Sequence, residues 1–288
     1  MPEAARRIWL CADDYGMAPG VNAAIRKLIL HGRLNATSIM LAASFLGDGE
    51  ARELAELNAG TPRALLGLHV TLTGPFRPMS EGFAPLRDGA FLPHTEMLRL
   101  AMLRRLPLEP LTIEIATQMR AFIETFGRPP DYVDGHQHAH IFPIIRDAFL
   151  RVVAETAPRA WVRQCGRARG ARSLKDPKSM VLDLLSVGFR ARATRVGLAT
   201  NPAFAGAYDF GPNDDFTRLF PNFLKGLPDG GLIMCHPGFV DEALKSLDPV
   251  TLSREREFAF LESEAFPHLL ARTGFTLASP AGETPAAD

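Results

Sequence analysis

Two adjacent acids, Asp13 and Asp14, close an apolar run over residues 8–12. Neighbouring side chains of an extended strand point to opposite faces, but a turn at the strand end can bring both toward one place. A close pair of carboxylates can divide labour: one binds a metal ion, while the other, its pKa moved by that charge, takes a proton. Read alone, the dipeptide also fits an Asx turn or N-cap opening the helix after Gly16 and Pro19. His69 lies in Leu65-Leu66-Gly67-Leu68-His69-Val70-Thr71, an otherwise apolar segment where a buried imidazole needs a partner; singly, it fits a satisfied core histidine. Asp134-Gly135-His136-Gln137-His138-Ala139-His140 is the strongest local signal, because three histidines at alternate positions share one face if the segment stays extended. A surface His tract or an adventitious metal site is the plain alternative there. Arg163 ends a further strand-like run, and His236 stands in Met234-Cys235-His236-Pro237-Gly238 after a buried strand and before a turn. One carboxylate and two imidazoles with an open water position form a ligand set used by zinc hydrolases and tolerated by other divalent ions. The acid and histidine left over have the right types for a base that activates water and an acid that protonates a leaving group.

Several strand ends must converge for these residues to act together. Short apolar runs alternate with helical patterns, the sequence form of a parallel sheet with crossover helices. Strands are expected over residues 8–12, 36–43, 64–71, around 132–133, 160–163, 231–235 and 274–278. Helices are expected over 21–30, 48–58, 111–126, 144–154, 180–185, 216–227 and one long helix over 253–272. Residues 74–110 break the rhythm with prolines, glycines and an amphipathic piece around 97–106, and read as an insertion. Residues 166–213 resist assignment beyond the one helix. The pattern gives an α/β protein: a single distorted (β/α) barrel of about seven strands over residues 1–280, with 281–288 as a disordered tail. In such barrels chemistry gathers at the carboxyl ends of the strands.

Composition narrows the function classes. Of 288 residues, 47% are apolar and 22% charged, enough for a large core. Lys+Arg and Asp+Glu both total 32, so no global field draws the chain to nucleic acid, and the cluster Arg163, Arg167, Arg169, Arg172 lacks interleaved aromatics. Three cysteines, at 11, 165 and 235, form no CxxC pair and fit a reducing compartment, with Cys235 read as core. The N-terminal apolar run is too short for a signal-peptide core and no apolar segment reaches spanning length, so a cytoplasmic protein is expected.

Four motifs in order resemble the YdjC-like family, which contains chito-oligosaccharide deacetylases and hopanoid-biosynthesis-associated deacetylases. They are Ala12-Asp13-Asp14-Tyr15-Gly16, Gly67-Leu68-His69-Val70-Thr71-Leu72-Thr73, Asp134-Gly135-His136-Gln137-His138-Ala139-His140 and Met234-Cys235-His236-Pro237. The resemblance implies an N-deacetylase of carbohydrate-deacetylase fold, with one divalent metal ion held by Asp14, His69 and His136. Zinc is favoured by the histidines, magnesium being the alternative. It further implies Asp13 as base and His236 as acid, with Arg163 orienting the base and with Tyr15 and His138 as substrate-binding or orienting residues. Asn201-Pro202-Ala203-Phe204-Ala205-Gly206 and the residues around His236 resemble the hopanoid-associated branch more closely. That branch implies an N-acetylglucosaminyl lipid as substrate, and peripheral contact with the inner membrane face. Phe83, Phe91, Met97, Leu98, Leu100, Met102 and Leu103 of the insertion would offer the lipid an apolar surface, although such a stripe normally faces the core. The other readings are a soluble chito-oligosaccharide substrate, a metal-dependent phosphoester hydrolase, and a catalytically silent sugar or lipid carrier. The expected partner is thus an amino-sugar small molecule or glycolipid, and a homo-oligomer is compatible with the sequence.

Overall fold

The computed structural model describes residues 4–171, 177–211 and 213–281. Arg172 of the arginine cluster and residues 282–288 of the expected tail lie outside them. β1 (Arg6–Tyr15) is buried from Ile8 onward, as a parallel strand covered on both faces must be. α1 (Pro19–Leu30) begins with proline in its first turn, where no N–H is missed, and returns the chain to β2 (Ala36–Ile39). α2 (Asp48–Leu57) and β3 (Leu65–Val70) repeat the unit. Residues 74–110 depart from it: β4 (Leu86–Arg87) and β5 (Ala90–Phe91) form an antiparallel hairpin, followed by α3 (His94–Met102). α4 (Leu108–Phe126) stops at Gly127, whose left-handed φ of 67° suits glycine, and leads into β6 (Tyr132–Gly135). The chain continues through α5 (Ile145–Thr156), β7 (Trp161–Val162), α6 (Pro177–Arg195), β8 (Phe204–Ala205), α7 (Phe216–Phe223) and β9 (Gly231–Cys235). α8 (Glu242–Leu247), α9 (Leu252–Glu262), α10 (Ala265–Thr273) and β10 (Phe275–Leu277) complete it.

Seven parallel strands run in the order β7-β6-β3-β2-β1-β9-β8, and β10 pairs with the first residues of β1. The sheet curls until its ends approach: Val162 bridges Thr200, and the Phe204 amide donates to the Gly166 carbonyl at 3.0 Å. This is a distorted (β/α) barrel, as the strand pattern implies. All seven carboxyl ends lie at one rim, which places Asp13, His69, Asp134, Arg163 and His236 on a common side. No helix among the described residues is long and apolar enough to cross a membrane.

Four expectations change. The strand over 36–43 ends at Ile39. The short helix over 180–185 is α6, of 19 residues, whose inward stripe Leu185, Ser186, Phe189, Ala193 is too small and polar to stand out as apolar periodicity. The long helix over 253–272 is broken into α9 and α10 at Ser263, which takes extended backbone, φ −72° and ψ 158°. Pro267 explains the break: in a continuous helix its ring would meet the Ser263 carbonyl, whereas it is tolerated in the first turn of α10. Finally, Phe83, Phe91 and Met97 of the insertion are core residues, leaving only Met102 and Leu103 well exposed among those considered for a lipid surface.

Candidate active site

The aspartate pair owes its placement to a β-bulge. Cys11 and Ala12 pair in register with Ala36 and Thr37, and Tyr15 pairs with Ile39, so Asp13 and Asp14 together oppose Ser38. Asp14 takes a left-handed φ of 73°, which turns its side chain to the same side as that of Asp13. Neither caps α1, whose N-cap is Ala18. His69 comes from β3, with its Nε2 at 3.5 Å from Asp14 Oδ1 and 4.0 Å from Asp13 Oδ2. His136 follows β6 and brings Nδ1 to 3.1 Å from Asp14 Oδ1.

The His tract does not stay extended. Beyond Gly135 the chain enters a tight 3-10 turn in which Gln137 and His138 have φ of 52° and 59°, so its histidines do not share a face. His136 meets Asp14, while His138 Nδ1 lies 3.5 Å from Cys165 Sγ. His140 points into the core and donates Nε2–H to the Arg163 carbonyl at 2.8 Å; burial pulls its pKa down to about 4, so it is neutral. Burial, aided by Arg163, also holds His138 well below the usual range.

Asp134 and Arg163 organise the buried side. Asp134 Oδ1 accepts from His69 Nδ1 at 2.6 Å, fixing the tautomer that leaves Nε2 toward Asp14, and its Oδ2 accepts from Ser38 at 2.6 Å. Arg163 grips both oxygens of Asp13 at 2.7 Å each, reaches Ser38 at 3.1 Å and Cys11 Sγ at 3.0 Å, and pairs with Asp134. Burial would raise the Asp13 pKa, yet Arg163 and His69 hold it well below the usual carboxylate range. Asp14 is likewise held low against burial by Arg254 and His136. Burial opposes charge on His69 too, but Asp134 and Asp13 outweigh it and push its pKa up to about 10.

Two groups of side chains have metal-ligand types close together: Asp14, His69, His136, and Cys11, Asp13, Asp134. Arg163 already bonds every member of the second, and burial raises the Cys11 thiol, so that group has its cation. The first fits an ion. Its donor separations of 3.1 and 3.5 Å lie close to the edges of roughly 3.3–3.6 Å expected of a tetrahedron with bonds of about 2.0–2.2 Å, the shorter one falling just below them. Its His69 carries the carboxylate partner usual behind a metal-bound imidazole.

Asp13, Asp14, His136, His138 and His236 line one cavity of about 350 Å³, together with His94 of α3, Phe210, Asp248 and Arg254. His236 Nδ1 is buried without a partner, and burial lowers the ring pKa. Tyr15 lies elsewhere: its hydroxyl donates to the Glu50 carbonyl at 2.8 Å and accepts from Arg26 at 2.9 Å. Sequence reading missed Arg254, which donates to Asp14 Oδ2 at 2.7 Å and to Asp248 at 2.5 Å and turns the other Asp14 oxygen toward the two histidines. It also missed Glu257, whose oxygens accept from the Tyr208 hydroxyl and the His236 amide, both at 2.5 Å. The available signal was spacing: Arg254, Glu257 and Leu261 repeat at helical intervals on the buried face of α9.

A family model described as YdjC-like protein matches residues 7–272. The chain belongs to the YdjC-like family. A chitooligosaccharide deacetylase of Escherichia fergusonii is 27% identical over 276 residues, covering 93% of this chain and 95% of the relative. A solved structure from Enterococcus faecalis V583, provisionally described as a cellobiose-phosphate cleavage protein, superposes with a TM-score of 0.71 at 20% identity. It covers 96% of this chain and 98% of its own, a likeness that establishes the fold.

Proposed function

We propose that this YdjC-like chain is a metal-dependent N-deacetylase that hydrolyses the acetamide of an N-acetylated amino sugar and releases acetate. One observation carries the reading: Asp14, His69 and His136 present converging donors, and Asp14 and His136 line a cavity whose wall also holds an arginine-clamped Asp13 and an unpartnered His236. A divalent ion held by the three donors would polarise the acetamide carbonyl, lower the pKa of water and stabilise developing negative charge. Asp13 takes the proton from the attacking water; Arg163 fixes its carboxylate and keeps it ionised. His236 passes a proton to the departing nitrogen. Because burial keeps this ring neutral at rest, the proton it delivers is the one Asp13 removes from water, which balances the reaction to acetic acid and free amine. His138, neutral on the cavity wall, offers hydrogen bonds to the sugar.

The relative named for chitooligosaccharides supports an N-acetylglucosamine oligomer as carrier of the acetyl group. An N-acetylglucosaminyl hopanoid is the second reading, favoured by Met180, Val181, Leu184 and Val187, which expose apolar side chains along α6. Acetate release should stop with a chelator, return with metal, and be lost in Asp13→Asn that still binds metal. Wild-type turnover by that variant would sink the base assignment. Measuring kcat/KM on chito-oligosaccharides against N-acetylglucosaminyl hopanoid decides between carriers.

A further inference from the structure

Glu257 is fully buried on α9, three residues beyond Arg254 and on the same face. Its oxygens take two neutral donors, the Tyr208 hydroxyl and the His236 backbone N–H. Burial pushes its pKa up to about 7, against the pull of those two donors and of Arg254. A carboxyl kept dry at that energetic cost and aimed at a main-chain amide is an unusual way to fill a core position; apolar packing would be less costly. The amide it holds belongs to the residue whose ring faces the cavity. Tyr208 lies two residues before Phe210, which lines the same cavity and meets the His236 ring edge-on at 5.2 Å between centroids. Ser253, also on α9, donates to the Phe210 carbonyl at 3.4 Å. One helix therefore fastens His236 through its backbone and fastens the segment that carries the ring beside it.

We propose that Glu257, bridged to Tyr208, is a positioning residue that sets the His236 imidazole and the Phe210 wall of the cavity, and that it acts on the reaction only through them. The inference rests on the reading of His236 as proton donor. Its content is geometric, because the amide bond fixes where the ring starts while leaving the ring nitrogens to the cavity. Misplacing a reacting group by about 1 Å can cost up to about a hundredfold in rate.

The test uses metal-loaded protein and an N-acetylchito-oligosaccharide, with kcat and KM measured for Glu257→Gln, Tyr208→Phe, His236→Ala and the two doubles carrying His236→Ala. Glu257→Gln should lower kcat by about tenfold or more, with KM within about threefold, and Tyr208→Phe by a smaller factor. In the His236→Ala background neither change should lower kcat beyond about twofold, since groups acting through one residue are not additive. In metal-free protein, the His236 ring resonance should move in Glu257→Gln, a readout independent of turnover. Unchanged kcat in folded Glu257→Gln, or equal fractional losses in both backgrounds, would overturn the proposal. Should Glu257→Gln fail to fold, Tyr208→Phe carries the same comparison. Wild-type turnover by His236→Ala would instead refute the donor role itself, so the two failures are distinguishable.

Discussion

Replacing Arg163 by methionine removes the cation at the centre of the buried cluster while keeping most of the side-chain volume. The guanidinium is fully buried, bonds both Asp13 oxygens at 2.7 Å and pairs with Asp134, so methionine leaves two buried carboxylates with His69 as their nearest positive partner. Removing one partner of a buried ion pair costs about 3–5 kcal/mol, because the remaining charge stays desolvated. For a chain of this length that corresponds to a fall in Tm of roughly 5–8 °C. Arg163→Lys keeps a charge but not the planar fork that matches Asp13, and should cost about half as much. The pH dependence has a definite sign. Asp13 is held below its unfolded pKa, so its contribution is present above the unfolded pKa and lost as pH falls through the folded one. Without Arg163 that carboxyl can relieve itself only by taking a proton, so the penalty in Arg163→Met should be larger at pH 7 than at pH 4.5. Urea unfolding followed by tryptophan fluorescence suits the measurement, since Trp161 is buried and stacks on Tyr132 beside Arg163. A loss below about 1 kcal/mol, the level of an exposed pair, or equal losses at both pH values, would show that Arg163 is not the counter-ion of this cluster.

Four further outcomes are expected. Asp134→Asn removes the carboxylate behind His69 and should weaken metal binding by about 10–100-fold in a chelator competition; an unchanged affinity would contradict the role of the 2.6 Å bond. His69→Ala and His136→Ala should each lose bound metal on dialysis, and full stoichiometry in both would remove them as ligands. Glu257 has a folded pKa raised from 4.5 to about 7, so its stabilising contribution is present below its unfolded pKa and lost as pH rises through 7. Glu257→Gln, which cannot ionise, should therefore gain stability relative to the parent between pH 5 and pH 8, by at most about 3 kcal/mol, and a flat difference across that range would refute the raised pKa. Gly206→Ala should destabilise the β8 corner, because φ is +102° and an added Cβ would sit 2.1 Å from the Met234 carbonyl; an unchanged Tm would show that the corner relaxes.

Much of the barrel could be read because its strands are buried on both faces. β3 and β9 appear as apolar runs over 64–71 and 231–235, and the rim position of the polar residue ending each run follows from the fold class. α6 and the break at Ser263 could not be read from apolar periodicity. One has a stripe of small and polar residues against the core, and the other is set by Pro267 acting four residues upstream. The His tract misled for a related reason: alternation implies a shared face only while the backbone stays extended, and Gln137 and His138 turn left-handed.

The residues around the ligand candidates divide along the same line. Asp13, Asp14, His69 and His136 each end a strand or follow one, so local sequence announces their place at the rim. Arg254 and Glu257 share with Leu261 only a helical spacing, and nothing local marks that face as the buried one. By hydrophobic pattern Leu252 should face inward and Arg254 outward, yet Leu252 is 59% exposed and Arg254 only 1%. The inversion is stable because Arg254 finds Asp14 and Asp248 inside, and Glu257 finds Tyr208 and the His236 amide. Asp14 lies 240 positions away along the chain, and no window of sequence holds both partners. A charged residue on the buried face of a helix thus becomes interpretable only when the fold supplies its counterpart, and here those counterparts are the groups that face the cavity. α9 therefore looks like a core helix with misplaced charges in sequence, whereas in the structure those charges orient Asp14 and seat His236.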